Sequence, residues 1–269
     1  MKKFSRYTRL VWFNTKAILQ SEAQYRVGMI TWVLNGAITP LLMMGVWLVV
    51  QSKTSLALNS SQIVTYYFLS LVVGRVTQVW SIEEVGEQIR DGSFSFKLLK
   101  PYNYLTEEMG RTLGLKFYRL MVIIPIVLLL VFLFGNSFKV DWSVKTISYL
   151  SLALLLGFAI RLVLENLLAL FVFWIEESES LNHLHHLLSD LLSGVLLPIA
   201  LAPLVIKNLI YFSPFRFYVS FPIEIALKQL NDTQMLMGFL LGVSYLLILV
   251  LLYKTVLVEA LRKNRSFGQ

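Results

Sequence analysis

The chain has no cysteine. Disulfide bridges, thiolate metal sites and S-acyl anchors are therefore excluded, although nothing about compartment follows. Charge is scarce too: Asp, Glu, Lys and Arg make up 15% of the 269 residues, against about 25% in an ordinary soluble domain. Signatures of familiar chemistry are missing as well. No GxxxxGK followed by Ser or Thr is present to cradle phosphates, and there is no HExxH or GxSxG. A P-loop nucleotide-hydrolysing subunit is thereby excluded, and catalysis by a familiar motif has no support. No repeat and no low-complexity linker divides the chain, which reads as one domain, residues 1–269.

What the chain does contain is apolar. Its residues are 57% hydrophobic, mean hydropathy is +0.67, and the apolar residues fall in long runs. That combination predicts an all-α, polytopic membrane protein. About six spans are expected, over residues 27–50, 63–80, 117–134, 147–174, 187–206 and 235–256. The fourth is longer than the ~20 residues a perpendicular crossing needs, and the fifth is interrupted by Pro198 and Pro203. The net charge of +8 sits at the ends of these runs, which suits anionic headgroups and membrane topology better than nucleic acid. The chain opens Met-Lys-Lys like a signal peptide, but Arg6, Arg9 and Lys16 interrupt it and no cleavage site follows. Residues 1–24 instead read as a retained interfacial helix, with Phe4, Tyr7, Val11, Ala17 and Ile18 near one face and Trp12 and Phe13 at its seam.

Lys and Arg in the short loops set the expected orientation. With the N-terminus inside, the inner side collects Lys2, Lys3, Arg6, Arg9, Lys16 and Arg26, then Arg90, Lys97, Lys100, Arg111, Lys116 and Arg119, then Arg262, Lys263 and Arg265. Fewer bases, Lys53, Lys139, Lys145, Lys207, Arg216 and Lys228, fall outside. Both termini are therefore expected on the cytoplasmic side of a bacterial-type inner or plasma membrane, and so is the charged segment 82–101. Within it Ile82, Val85 and Ile89 recur at helical spacing while Glu83, Glu84, Glu87, Gln88 and Arg90 fill the other faces. Asp91-Gly92 ends that helix, with Gly92 suited to a left-handed cap. Phe94, Phe96 and Leu98 then alternate to one side of a segment that folds back, helical or extended over 93–97, until Pro101 stops it. Patterning of this kind suits a compact knob that docks a protein partner.

Three further clusters are candidates. Arg161 and Glu165, four apart in the fourth span, face each other across a helical turn. An intramembrane pair is costly, so it faces protein or water, as a lock between helices or as part of a substrate path. Arg75 lies in the second span, nearer its inner end. His183, His185 and His186 beside Glu179 provide no ordered ligand set for a metal; they fit a turn capped by Ser178 or Ser180. Residues 207–231, rich in Tyr, Phe and Pro, read as an outer element that re-enters the membrane partway.

"EEVGEQIRDGSFSFKLLKPYNYL" and "YFSPFRFYVSFPIEIALKQL", with the order of elements around them, resemble the permease subunits of type-2 ABC exporters over nearly the whole chain. The resemblance implies a permease that pairs with a second permease chain, identical or related, and meets a separate ATPase. ATP and Mg would then belong to that ATPase, with no cofactor in this chain and with membrane lipid around it. It further implies that the element after the second span is a coupling helix. Carried over, that helix comprises Glu84, Val85, Glu87, Gln88, Ile89, Arg90, Asp91 and Gly92, with Phe94 and Phe96 anchoring it from behind. The element before the last span would be an outer gate, and the segment 176–190 a minor second ATPase contact. Two other classes compete. A membrane-embedded enzyme acting on lipids would need the thin cluster from His183 to Asp190. A secondary transporter would use Arg161 and Glu165 for ion coupling, but no inverted repeat supports it.

Overall fold

The computed structural model describes residues 2–22, 26–100, 104–134, 140 and 143–266. Pro101 and Lys139 fall outside them, as do the side chains of Lys2, Lys3, Phe4, Arg6, Tyr7, Arg26, Leu98, Lys263 and Arg265. Every element in the described residues is helical: α1 (Lys2–Glu22), α2 (Arg26–Lys53), α3 (Ser60–Thr77), α4 (Ser81–Arg90), α5 (Phe94–Leu98), α6 (Tyr104–Phe134), α7 (Val144–Leu170), α8 (Val172–Ile175), α9 (Glu179–Leu192), α10 (Leu204–Tyr211), α11 (Ser220–Ala226) and α12 (Asp232–Ser266), with 3-10 turns at Ile199–Leu201 and Pro214–Tyr218.

Local chemistry places several boundaries. Asn59 accepts from the Gln62 amide while the Gln62 side chain accepts from the Asn59 amide, a reciprocal cap that starts α3. Asn231 and Gln234 make the same exchange at the start of α12. Lys116 donates to the carbonyls of Val76 and Gln78, where α3 runs out of intrahelical donors.

Among the described residues four stretches are long and apolar enough to cross a membrane: Gly36–Lys53, Ser60–Arg90, Val144–Ile175 and Asp232–Arg262. They carry the first, second, fourth and sixth expected spans. The third lies in α6, a helix of 31 residues. The fifth is not one helix. α9 ends at Leu192, and the chain then runs through irregular backbone and a 3-10 turn before α10.

That irregular stretch sits inside the fold, so its polar backbone needs partners that no helix provides. Side chains supply them. Tyr66 Oη donates to the Gly194 carbonyl at 2.9 Å. Tyr67 Oη and Trp47 Nε1 both donate to the Leu196 carbonyl, at 3.3 and 3.0 Å. The Ser220 amide and hydroxyl donate to Ser193 O at 3.0 and 2.6 Å. Gly194 has φ +92°, and a Cβ there would lie 2.0 Å from Ser220 Oγ, so glycine meets two demands at one position.

The core lies between α3, α7, α12 and the segment 214–226. Phe217, Tyr218, Phe221 and Ile223 are fully buried. Gly157 on α7 lets that segment approach, since a Cβ would meet the Phe217 carbonyl at 2.1 Å. Arg216 and Glu224 pair in its interior.

α1 packs closely on the first half of α6. Gly110 and Gly114 bring the two backbones together, and Cβ atoms there would lie 2.8 Å from the carbonyls of Val11 and Thr15. Thr15 Oγ1 donates to Gly110 O across this seam. This is the small-xxx-small contact of apolar helices. Trp12 and Phe13 stay exposed.

Candidate functional site

α4 is the polar patterned element. Its spacing turns Ile82 and Val85 into the core, leaves Glu83, Glu87 and Arg90 exposed, and half-buries Glu84, Gln88 and Ile89. Asp91 follows as the C-cap, and Gly92 takes φ +78°. Ser93 holds the Asp91 carboxylate below its ordinary pKa, first through its hydroxyl and then through its amide, which donates to Asp91 Oδ1 at 2.8 Å and closes the turn.

The segment beyond is helical, which decides the choice left open over 93–97. The helical turn also separates the two phenylalanines expected on one side. Phe94 is 1% exposed and packs edge-on against Tyr104 and Phe173, with ring centroids 5.0 and 5.8 Å away. Phe96 is 72% exposed and, among the described residues, does not anchor α4 from behind. The reason is periodicity: two residues apart is one face of a strand but roughly opposite faces of a helix.

α4 also approaches α8 and α9 closely. A Cβ on Gly86 would lie 2.3 Å from the Ser178 Cβ. Ser178 is buried there and makes no side-chain cap for α9, so its expected capping role is replaced by packing. Ser180 Oγ instead donates to Glu177.

Beneath the first turn of α4 lies a buried polar network. Arg161 Nε donates to Glu165 Oε1 at 2.8 Å, as the four-residue spacing predicts. The other oxygen, Glu165 Oε2, accepts the Ser81 backbone amide at 2.9 Å. That amide is one of the orphan donors at a helix start, and a carboxylate is well placed there. Ser81 Oγ donates to Glu108 Oε1 at 2.8 Å and accepts from Asn166 Nδ2 at 3.0 Å. Glu108 in turn takes Arg111 Nη2 at 2.6 Å and Tyr104 Oη at 3.3 Å. Arg111 also pairs with Glu84, back on α4. The chain of contacts therefore leaves α4, passes through α6 and α7, and returns to α4. Ser81, Glu108, Arg111, Arg161, Glu165 and Asn166 are all buried.

A network that satisfies its charges inside a low-dielectric interior is stiff, because breaking any link exposes an unpaired group. The network thus ties α4 to both α6 and α7. Of the sequence candidates, Glu84, Arg161 and Glu165 join this network, while Glu87, Arg90 and Asp91 face outward. Ser81, Glu108, Arg111 and Asn166 were not among the sequence-derived site residues. The one available signal for them was polarity at the ends of apolar runs.

Arg75 lies apart from the network. Its guanidinium crosses to α2, where a Cβ on Gly36 would coincide with it, and Nη1 donates to Gln78 Oε1 at 2.7 Å. Arg75 and Arg161 both line a cavity of about 330 Å³ between α2, α3, α7 and α9. His185 is buried beside Phe215 and Tyr218, whereas His183 is exposed beside Glu179. Among the described residues no three His, Asp or Glu side chains are grouped to hold a metal.

A family model described as ABC-2 family transporter protein matches residues 37–268. No curated protein matches the chain.

Proposed function

Since the chain belongs to the ABC-2 transporter family, as a membrane permease, we propose that it is the permease of an exporter driven by a separate ATPase, with α4 as the docking and coupling helix. The observation that carries this reading is the link from the α4 start to Glu165 and Glu108. A docking helix transmits force only if its inner end is rigidly fixed, and here that end is held by two buried carboxylates. Its outer face, Glu83, Glu87 and Arg90, is free of the core and available to a partner.

In this reading the chain lies in the plasma membrane with both termini and α4 cytoplasmic. Residues 207–231 form the outer, re-entrant gate, and a second permease chain completes the substrate path. Membrane lipid surrounds the exposed apolar faces. ATP and Mg bind the ATPase, and the permease itself is not an enzyme. Its own residues transmit displacement: Ile82 and Val85 seat α4, Phe94 braces it against Tyr104 and Phe173, and the Ser81 contacts pass movement to α6 and α7.

The test is co-purification with the ATPase, followed by charge reversal on the outer face. Glu87→Lys and Arg90→Glu are expected to abolish transport-coupled ATP hydrolysis while the permease melts like wild type. Full activity in both variants would remove α4 as the coupling helix.

A further inference from the structure

The cavity of about 330 Å³ is lined by a guanidinium, that of Arg161, whose end nitrogens the described residues leave unused. Ser70, Trp80 and Ser193 also line it, but their Oγ, Nε1 and Oγ atoms are buried away from the open space. Arg161 commits only Nε to Glu165, and its end nitrogens Nη1 and Nη2 have no partner among the described residues. The Tyr218 ring lies 4.9 Å from the guanidinium carbon and holds the group in place. Arg75 brings a second guanidinium to the same wall. Lys116 adds a third cation in the adjoining small pocket, which shares Arg75, Gln78 and Trp80 with the cavity. Against these the cavity lining carries one carboxylate, the exposed Asp190, with His186 one turn away on the same helix.

Buried polar groups are normally satisfied, and an unpaired donor in an apolar surrounding is costly. Two guanidiniums on one wall, that of Arg161 with both end nitrogens unpaired, call for an acceptor that carries negative charge. Guanidinium matches phosphate and carboxylate with two parallel N–H donors. The remainder of the wall, Pro40, Leu71, Val195 and Val219, is apolar and accommodates a hydrocarbon part.

The geometry points to this cavity as the permease's substrate site, taking a molecule with an anionic phosphate- or carboxylate-type group. This inference rests on the exporter reading for the word substrate, but the binding itself does not. Shared chemistry leaves two sources, the headgroup of an amphiphile and a free anion, which one experiment separates.

The purified chain in a neutral maltoside detergent would be titrated with dodecyl phosphate, inorganic phosphate and dodecyltrimethylammonium, with thermal stabilisation as the readout. Saturable stabilisation by dodecyl phosphate alone identifies an amphiphile, and stabilisation by inorganic phosphate identifies a free anion; each supports the anionic site. Arg75→Gln should raise the half-saturating concentration about tenfold, the value of one charge-assisted hydrogen bond, and Arg75→Lys should recover part of it. Asp190→Asn should lower it, a gain that misfolding cannot imitate. Equal stabilisation by the trimethylammonium compound, or an Arg75→Gln variant that titrates like wild type, would overturn the site. ATPase association, measured on the same preparations, is independent. Association without anion binding sinks only this inference, and anion binding without association sinks only the exporter reading.

Discussion

Glu165 does two jobs at once. It neutralises Arg161 and accepts the first amide of α4. Removing it strands a buried guanidinium and a buried N–H together. Glu165→Ala is therefore expected to cost about 3–5 kcal/mol, the range for breaking a buried ion pair by deleting one partner. Thermal melting in detergent checks it, and a variant that melts with wild type would mean the pair is solvated. The spacing of Arg161 and Glu165 was readable, because an i, i+4 pair is a local property of a helix. The partner Ser81, 84 residues earlier in the chain, was not, since nothing local records which loop a carboxylate will meet.

At the scale of elements, α4 followed from its apolar spacing and its Asp-Gly stop. The next five residues show where pattern reading fails. Ser-Phe-Ser-Phe-Lys alternates like a strand, yet backbone bonds from Ser95 to Gly92 and from Phe96 to Ser93 wind it into a helical turn. Short segments take their conformation from neighbours, and here Phe94 has a slot between Tyr104 and Phe173 that fixes the winding. A sharp contrast follows. Phe94→Ala should destabilise the fold by about 3–5 kcal/mol, while Phe96→Ala should stay within about 0.5 kcal/mol. Denaturation of the two variants side by side measures it. Comparable losses would mean that the exposed ring packs after all. Because Phe96 stands exposed beside α4, its loss should instead appear in affinity for the ATPase.

Across the whole molecule, docking and transmission are separable. In the proposed coupling, the outer face of α4 contacts the ATPase and the network beneath it carries the movement inward. Ser81→Ala removes the hydroxyl that ties Glu108 to Asn166 without touching Glu87 or Arg90. The assembled transporter carrying it should retain its ATPase in pull-downs and still hydrolyse ATP, but move less substrate per ATP consumed. Unchanged stoichiometry between transport and hydrolysis would show that force travels by another route. Pro198 and Pro203, five residues apart, each remove an intrahelical donor and favour a break in the fifth expected span. They do not announce that Tyr66, Tyr67 and Trp47 from two other helices will satisfy the freed carbonyls.

The sequence alone settled what depends on composition and on near neighbours. Hydropathy and run length made this an all-helical membrane chain, loop bases suggested its orientation, and apolar periodicity drew α4. Tertiary structure alone decided what depends on groups far apart in the chain. It joined Ser81 to Glu165 and Glu108, laid α1 into the Gly110 and Gly114 seam, and set the Arg75 and Arg161 guanidiniums on the wall of one cavity. The physical reason is the cost of a bare polar group in an apolar interior. The pattern shows that such groups exist; only the folded chain determines which of them find one another, and which are left for a ligand.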